Sequence, residues 1–271
     1  MKILFFGGKG WIGSEFIKYL KTLEDVNIIE TNAYAENEYL IKDLILAYSP
    51  THIISIIGKS YDKEDKLYEN ICDNLYAPLV LSLLAEKNNI HYTYIGTGCI
   101  YNNEETLSIK YIESDTPNFY GSSYSIIKGY TDRIMKLNSN TLNLRIRMPI
   151  NSAIYHKNYI MEIVKLKKNS SKTNSITVLP TIYPIIYDMM KNKLKGTINL
   201  TNPDYISNNE ILEMYKEIVE EDFKWDTEIL ETSEINCHLD TTKLTKLYPE
   251  IPDIRTGIKK CLIEMKKNLN K

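Results

Sequence analysis

A run of glycines directly after the first apolar segment constrains the fold of this chain more than any other feature. The segment Met1-Lys2-Ile3-Leu4-Phe5-Phe6 has the composition of a buried strand, and it leads straight into Gly7-Gly8-Lys9-Gly10-Trp11-Ile12-Gly13. A strand, a glycine-rich turn and a helix, in that order, are typical of a dinucleotide-binding unit. Gly7 permits the tight turn, Gly10 lets a pyrophosphate approach the backbone, and Gly13 allows close helix packing. The spacing is GxxGxxG rather than GxGxxG, so a merely structural turn is the alternative.

Apolar runs and helical patterns alternate through the first half of the chain. The predicted strands cover 2–6, 26–30, 51–57, 91–95 and 142–146, and one long helix is predicted over 66–87. This alternation predicts an α/β fold, a Rossmann-type doubly wound parallel sheet. The pattern loosens after Pro149. We therefore expect an NAD(P)-binding Rossmann domain over 1–150 and a smaller C-terminal substrate lobe over 151–271, which is a candidate to return a strand to the main sheet.

The bulk properties exclude several classes of partner. A formal net charge of -2 over 271 residues gives no field that favours nucleic acid or a membrane surface, and no apolar run reaches membrane-spanning length. Cys72, Cys99, Cys237 and Cys261 are scattered without CxxC spacing, so neither a metal site nor a disulfide framework is expected. The cysteine usage fits a reducing compartment, and a cytoplasmic location is predicted.

Tyr124 and Lys128 are separated by one helical turn in the helix predicted over 122–137, so both side chains share a face. A cation held there is expected to lower the pKa of the tyrosine. A phenol tuned in this way can give a proton to a carbonyl as hydride arrives. Together with the glycine turn, the pair predicts a nicotinamide-dependent enzyme that acts on a carbonyl.

Thr97 and Cys99 follow the strand predicted over 91–95, at the edge where ligands bind in open sheets. The Thr97 hydroxyl is predicted to bond the substrate carbonyl alongside Tyr124, although it could merely cap the loop. The Cys99 thiol is a candidate base. Packing is the usual role of a lone cysteine on a strand and stays open as the alternative.

The rest of the predicted cofactor site comes from the ends of the first three strands. Glu30 follows the glycines by about 20 residues, where an acid would bind the adenosine 2′-hydroxyl, and this favours NAD. An exposed strand-end acid is the alternative for Glu30. The full set of predicted cofactor-binding residues is Gly7, Lys9, Gly10, Trp11, Ile12, Glu30, Gly58, Lys59, Tyr124 and Lys128.

These motifs resemble the extended short-chain dehydrogenase/reductases. Further segments resemble one subgroup, the UDP-4-keto-6-deoxyhexose 3,5-epimerase/4-reductases, which are related to dTDP-4-dehydrorhamnose reductase. The resemblance covers nearly the whole chain. It rests on Thr97-Gly98-Cys99-Ile100-Tyr101, Asp115-Thr116-Pro117-Asn118-Phe119-Tyr120-Gly121-Ser122-Ser123-Tyr124, Leu144-Arg145-Ile146-Arg147-Met148-Pro149-Ile150, Thr201-Asn202-Pro203 and Leu239-Asp240-Thr241-Thr242-Lys243-Leu244.

The resemblance implies an enzyme that inverts carbons beside a C4 ketone and then reduces that ketone. Cys99 matches the family's epimerase cysteine, whereas Glu162 stands where the family has its partner lysine. Glu234 stands where an arginine facing the pyrophosphate is expected. The resemblance also favours NADP (as NADPH), with NAD as the alternative, a UDP-sugar substrate and a homodimer as a candidate assembly. Its predicted substrate-binding residues are Asn118, Lys157, Asn158, Glu162 and Asn202.

The sequence thus predicts an NAD(P)H-dependent 4-reductase of a UDP-4-keto-6-deoxy-L-hexose with 3-epimerase or 3,5-epimerase activity. Its place would be in the synthesis of UDP-L-rhamnose or of a UDP-2-acetamido-6-deoxy-L-hexose. One alternative is a pure dTDP- or UDP-4-dehydrorhamnose reductase in which Cys99 is inert. Another is a non-catalytic nucleotide-binding regulatory subunit, against which the intact Tyr124–Lys128 pair argues.

Overall fold

Five strands from the first 146 residues and one later strand, Gly196–Asn199, form a six-stranded sheet. The computed structural model describes residues 1–59, 66–102, 109–167, 170–225 and 237–269. The strand order is β10-β6-β4-β3-β1-β2, and β1 pairs in parallel with both β2 and β3. These strands are β1 (Lys2–Phe6), β2 (Asn27–Thr31), β3 (His52–Ser55), β4 (His91–Thr97), β6 (Thr141–Ile146) and β10 (Gly196–Asn199). The predicted Rossmann-type α/β fold is confirmed, and its switch point lies where β2 and β3 leave β1 on opposite sides.

Helices cover this sheet, and a buried apolar cluster lies beneath α2 and α4. The helices of the first half are α1 (Trp11–Leu20), α2 (Glu38–Tyr48), α3 (Leu67–Ile71), α4 (Ala77–Lys87) and α5 (Ser123–Met135). The cluster includes Leu4, Ile53, Leu81 and Tyr92. No helix within the described ranges is long and apolar enough to cross a membrane.

The single helix predicted over 66–87 is interrupted. A π-helical turn, Cys72–Tyr76, separates α3 from α4. Pro78 explains the break, because its ring has no N–H for the carbonyl of Asn74, four residues earlier, and would clash with that carbonyl in a regular helix. The Thr131 hydroxyl of α5 donates a 2.6 Å hydrogen bond to the Asn74 carbonyl instead. The interruption therefore fastens α5 to this segment and leaves Asn70 and Asn74 buried.

The remaining strands are short, and residues of several remaining elements build a second apolar core, which includes Ile160, Ile211, Ile258 and Leu262. Three two-stranded pairs are present, β5 with β12, β7 with β9, and β8 with β11. Their strands are β5 (Lys110–Tyr111), β7 (Pro149–Ile150), β8 (Thr173–Asn174), β9 (Thr177–Val178), β11 (Ile206–Ser207) and β12 (His238–Leu239). The helices are α6 (Tyr159–Leu166), α7 (Leu179–Lys191), α8 (Asn208–Ile218), α9 (Thr242–Leu247) and α10 (Ile254–Leu269).

Contacts divide the chain into two compact units. Unit 1 comprises Met1–Tyr101, Glu113–Arg145 and Tyr183–Ile198, and unit 2 comprises Asn102–Ile112, Ile146–Ile182 and Asn199–Lys271. The chain thus enters unit 2 briefly over Asn102–Ile112, enters it again at Ile146, and comes back to the main sheet with β10. The assignment of cofactor to 1–150 and of substrate to 151–271 stays a prediction.

Candidate active site

The glycine turn after β1 forms a bare backbone surface at the start of α1. Gly7 adopts φ +89, and a Cβ built there would lie 2.5 Å from the Ile56 carbonyl oxygen. A Cβ on Gly13 would lie 2.2 Å from the Gly7 carbonyl oxygen. Side chains are therefore excluded where the turn meets α1 and the end of β3. Such a surface beside a helix N-terminus fits the pyrophosphate of a dinucleotide.

Glu30 lies beside this turn, and its role at the ribose stays a prediction. Its Oε2 would be 3.7 Å from a Cβ on Gly8, and its Oε1 accepts a 2.8 Å hydrogen bond from Lys21 Nζ. Both side chains of this ion pair are exposed. Lys21 was not predicted as a site residue, because it lies nine residues before Glu30 and outside the glycine turn. Of the other predicted residues of the turn, Lys9 is exposed, whereas Trp11 and Ile12 are half-buried.

The end of β3 faces Lys128. Gly58 adopts φ +130, and a Cβ there would be 2.4 Å from Asn74 Oδ1 and 3.5 Å from Lys128 Nζ. Asn74 Nδ2 donates to the Lys59 carbonyl at 3.0 Å, which fixes the chain directly after Gly58. The π-helical turn thus places an amide next to the predicted nicotinamide site, and Pro78 is the sequence signal that could have located it.

Helix α5 presents Tyr124 and Lys128 on one face. The helix begins after Ser122, whose hydroxyl accepts a hydrogen bond from the Ser125 N–H. Lys128 is 4% exposed, and its Nζ donates a 2.6 Å hydrogen bond to the hydroxyl of Tyr94 on β4. The same Nζ lies 6.0 Å from the centre of the Tyr124 ring. Tyr94 was not predicted as a site residue, and no motif around it marks it.

The titration of the pair differs from the prediction. Burial raises the pKa of the Tyr124 phenol, Cys99 adds to this rise, and a hydrogen bond with Thr97 opposes it. Lys128 was predicted to lower this pKa, but burial dominates. Burial also lowers the pKa of the Lys128 ammonium to about 7, against the pull of Cys99 and Asp132. The lysine is thus only partly charged near neutral pH, which weakens its effect on Tyr124.

Thr97 and Cys99 lie where β4 ends, next to Tyr124. The Thr97 hydroxyl accepts a 3.1 Å hydrogen bond from the Cys99 N–H. Cys99 is half-buried, and its sulfur is not in a disulfide. No cluster of three or more His, Cys, Asp or Glu residues that could hold a metal occurs within the described ranges. Unit 1 therefore brings together the four predicted catalytic groups.

A buried ion pair holds α5 against the sheet. Asp132 Oδ1 accepts from Arg145 Nε at 2.9 Å and from Asn143 Nδ2 at 2.7 Å, and Asp132 Oδ2 accepts from an Arg145 terminal nitrogen at 2.8 Å. Arg145 and Asp132 are 0% and 3% exposed. The four-residue spacing of Tyr124, Lys128 and Asp132 places Asp132 on the same face of α5, but it does not identify Arg145 as its partner.

The predicted substrate residues fall into two groups. Asn118 of unit 1 is exposed, as are Lys157 and Glu162 near the start of α6 in unit 2. Asn158 and Asn202 are fully buried. Asn158 Nδ2 donates to the Asn151 and Ala153 carbonyls, whereas Asn202 accepts from the Val178 N–H and donates to the Pro252 carbonyl. Substrate contact through these two amides stays a prediction and would compete with these bonds. Glu234 lies outside the described residues.

A doubly wound sheet with this glycine turn and a Tyr-Lys helix defines a Rossmann-type oxidoreductase site. No family model matches the chain. Protein L780 of Acanthamoeba polyphaga mimivirus is 39% identical over 98% of this chain and 99% of its own. The crystal structure of the L780 UDP-rhamnose synthase aligns with a TM-score of 0.92 at 38% identity, over 98% of this chain and 99% of that one.

A plant relative has both activities in its name. The bifunctional dTDP-4-dehydrorhamnose 3,5-epimerase/dTDP-4-dehydrorhamnose reductase of Arabidopsis thaliana is 31% identical over 97% of this chain and 93% of its own. A dTDP-4-dehydrorhamnose reductase of Bacillus anthracis, solved in complex with NADP, has a TM-score of 0.79 at 16% identity over 97% and 98% of the two chains, and it supports the fold. The chain belongs to the extended short-chain dehydrogenase/reductases, in the family of deoxyhexose epimerase/4-reductase enzymes that includes UDP-rhamnose synthase.

Proposed function

We propose that this chain is a nicotinamide-dependent epimerase/4-reductase of a UDP-linked 4-keto-6-deoxyhexose. The observation that carries the proposal is the grouping of Tyr124, Lys128, Thr97 and Cys99 at one end of β4, within the unit that also holds the glycine turn. Similarity to the L780 UDP-rhamnose synthase over nearly the whole chain supports the substrate class. UDP-L-rhamnose is the product proposed first, and a UDP-2-acetamido-6-deoxy-L-hexose is the alternative.

The reduction needs a proton at the ketone oxygen. A bound nicotinamide would supply the hydride, held by the glycine turn, Gly58 and Lys128. Tyr124 would donate its phenolic proton to O4. Burial raises the pKa of this phenol, so the proton is present at neutral pH but the phenol is a weaker acid than a free tyrosine. Thr97, at the end of β4 next to Tyr124, would orient the carbonyl.

The epimerisation needs a base beside the ketone. Cys99 as thiolate would remove the proton from C3, and the electron pair of the C–H bond would move into an enolate on O4. Tyr124 and Thr97 would stabilise this anion by hydrogen bonding. Return of a proton to the opposite face of C3 inverts the carbon. The resemblance implies a lysine that acts on the other face of the sugar, and here Glu162 occupies its position. We therefore propose that C3 is inverted readily and that C5, which must also be inverted to give UDP-L-rhamnose from the D-sugar, is inverted slowly.

The choice between the two nicotinamide cofactors depends on Glu30 and Lys21. A carboxylate beside the ribose repels a 2′-phosphate, whereas the ion pair with Lys21 compensates that charge and provides a cation nearby. We propose that NADPH is used first and that NADH is also accepted.

Incubation with NADPH and UDP-4-keto-6-deoxy-D-glucose, followed by NMR of the product, tests the proposal. UDP-L-rhamnose is the expected product. If every candidate 4-keto sugar nucleotide is recovered unreduced after incubation with NADPH, the reductase assignment is refuted. A pure 4-reductase is the second candidate, because Glu162 stands where the resemblance implies the lysine used in epimerisation. That enzyme would reduce only a sugar that already has its final configuration.

A further inference from the structure

Tyr94 is the inner partner of Lys128. It lies on β4, three residues before Thr97, and is 1% exposed. Its hydroxyl accepts the 2.6 Å hydrogen bond from Lys128 Nζ, and the ammonium lies 4.7 Å from the centre of its ring. A buried ammonium needs acceptors in place of water. The position of Nζ in unit 1 is therefore set by a phenol of the sheet.

The other described groups near Lys128 have other partners or lie further away, so Tyr94 is the group that sets the position of Nζ. Asp132, one turn further along α5, has its carboxylate engaged with Arg145 and Asn143. Asn74 lies in the π-helical turn. Its Oδ1 is next to Gly58, which follows β3, and its Nδ2 donates to the Lys59 carbonyl. Among the described residues, the other neighbours that act on this side chain are Tyr124, whose ring centre lies 6.0 Å from Lys128 Nζ, and Cys99, whose electrostatic effect raises the pKa of Lys128.

We propose that Tyr94 is a positioning residue of this site, whose hydroxyl fixes the Lys128 ammonium against the end of β3. The inference rests on the proposed function. Tyr94 is a neutral acceptor, so it holds Nζ without cancelling the positive charge, as a carboxylate in its place would do. An ammonium has three N–H donors. One donates to Tyr94, and the other two could point towards the cofactor ribose and towards the Tyr124 hydroxyl.

This arrangement has a consequence for pH. The bond to Tyr94 favours the charged form of Lys128, whose pKa burial has lowered to about 7. Removal of the acceptor lowers this pKa further. The charged form of Lys128 is lost as pH rises through its pKa, so the alkaline limb of kcat/KM moves to lower pH in a variant that lacks the hydroxyl.

A double-mutant cycle between Tyr94→Phe and Lys128→Met tests the proposal, with Tyr92→Phe as the matched control. Tyr92 lies two residues earlier on the same strand, is 0% exposed and belongs to the same apolar cluster. Two readouts are measured: the dissociation constant of NADPH without sugar, from nucleotide fluorescence, and the pH profile of kcat/KM. Thermal unfolding reports whether each variant is folded.

Tyr94→Phe is expected to weaken NADPH binding about tenfold and to shift the alkaline limb to lower pH, as loss of a hydrogen bond to a charged group implies. The same change in the Lys128→Met background is expected to cost less than about twofold, because a residue that acts through Lys128 has no further effect. Tyr92→Phe is expected to leave both readouts unchanged. Equal behaviour of Tyr94→Phe and Tyr92→Phe, or additive effects of Tyr94→Phe and Lys128→Met, overturns the proposal.

The cofactor readout separates this inference from the proposed function. If the wild-type chain binds NADPH but reduces none of the 4-keto sugars, the substrate assignment fails. The non-additivity of Tyr94 and Lys128 in cofactor binding still decides the role of Tyr94.

Discussion

Replacement of Asp132 with alanine is expected to destabilise the chain strongly. The change leaves Arg145, 0% exposed, without the carboxylate that accepts from its Nε and from a terminal nitrogen. Loss of one partner from a buried ion pair costs about 3–5 kcal/mol. The hydrogen bond from Arg145 to the Glu113 carbonyl at 3.2 Å survives, so we take the lower end, about 3 kcal/mol. At roughly 2–4 °C per kcal/mol, the midpoint should fall by roughly 6–12 °C.

Differential scanning calorimetry of the variants measures this loss. Glu264→Ala is the matched control, because it removes a helical carboxylate whose ion pair with Lys267 is exposed, and it should change stability by less than about 0.5 kcal/mol. The double variant Asp132→Leu/Arg145→Met should recover most of the loss, since apolar residues can replace a buried pair. A midpoint for Asp132→Ala within about 2 °C of wild type would refute the reasoning, because about 3 kcal/mol cannot give so small a shift.

Three further predictions concern the site. Tyr124→Phe should lower kcat by about 10²–10⁴-fold and leave the NADPH dissociation constant nearly unchanged, because only the proton donor is lost; steady-state kinetics within a few-fold of wild type would contradict this. Gly13→Ala should weaken NADPH binding about tenfold or more, since its Cβ would lie 2.2 Å from the Gly7 carbonyl oxygen; unchanged binding by titration calorimetry would rule out the turn as the pyrophosphate site. Lys21→Met should shift the kcat/KM ratio of NADPH to NADH towards NADH, because Glu30 then keeps its full charge, and an unchanged ratio would mean that the pair lies away from the ribose.

The parts of the structure that depend on local chemistry were predicted from the sequence. The strand at 2–6, the turn from Gly7 and the helix that follows occur as expected, because a positive φ and the exclusion of side chains leave glycine as the residue that fits. Tyr124 and Lys128 lie on one face of α5 because four residues make about one helical turn. Periodicity carries such information directly.

The parts that depend on contacts between distant segments were not predicted. Neither the bond from Lys128 to Tyr94 nor the Asp132–Arg145 pair leaves a periodic signal, since each partner sits on a different element. The pKa of Tyr124 was predicted to fall because Lys128 lies one helical turn away. Burial by residues distant in the sequence raises it instead. The break at Cys72–Tyr76 required that Pro78 be read together with Thr131, 53 positions later in the sequence.

The central claim is that one site both exchanges the proton beside a C4 ketone and reduces that ketone. It is tested most directly by reaction of UDP-4-keto-6-deoxy-D-glucose in D2O with unlabelled NADPH, in parallel with NADPH deuterated at the transferable position in H2O. NMR of the reaction mixture over time should show solvent deuterium entering C3 faster than C5, and cofactor deuterium at C4 alone. Cys99→Ser should abolish the C3 exchange while reduction of a sugar with its final C3 configuration continues. Absence of cofactor deuterium at C4 would contradict the reductase claim, and reduction without any solvent deuterium at C3 would contradict the epimerase claim.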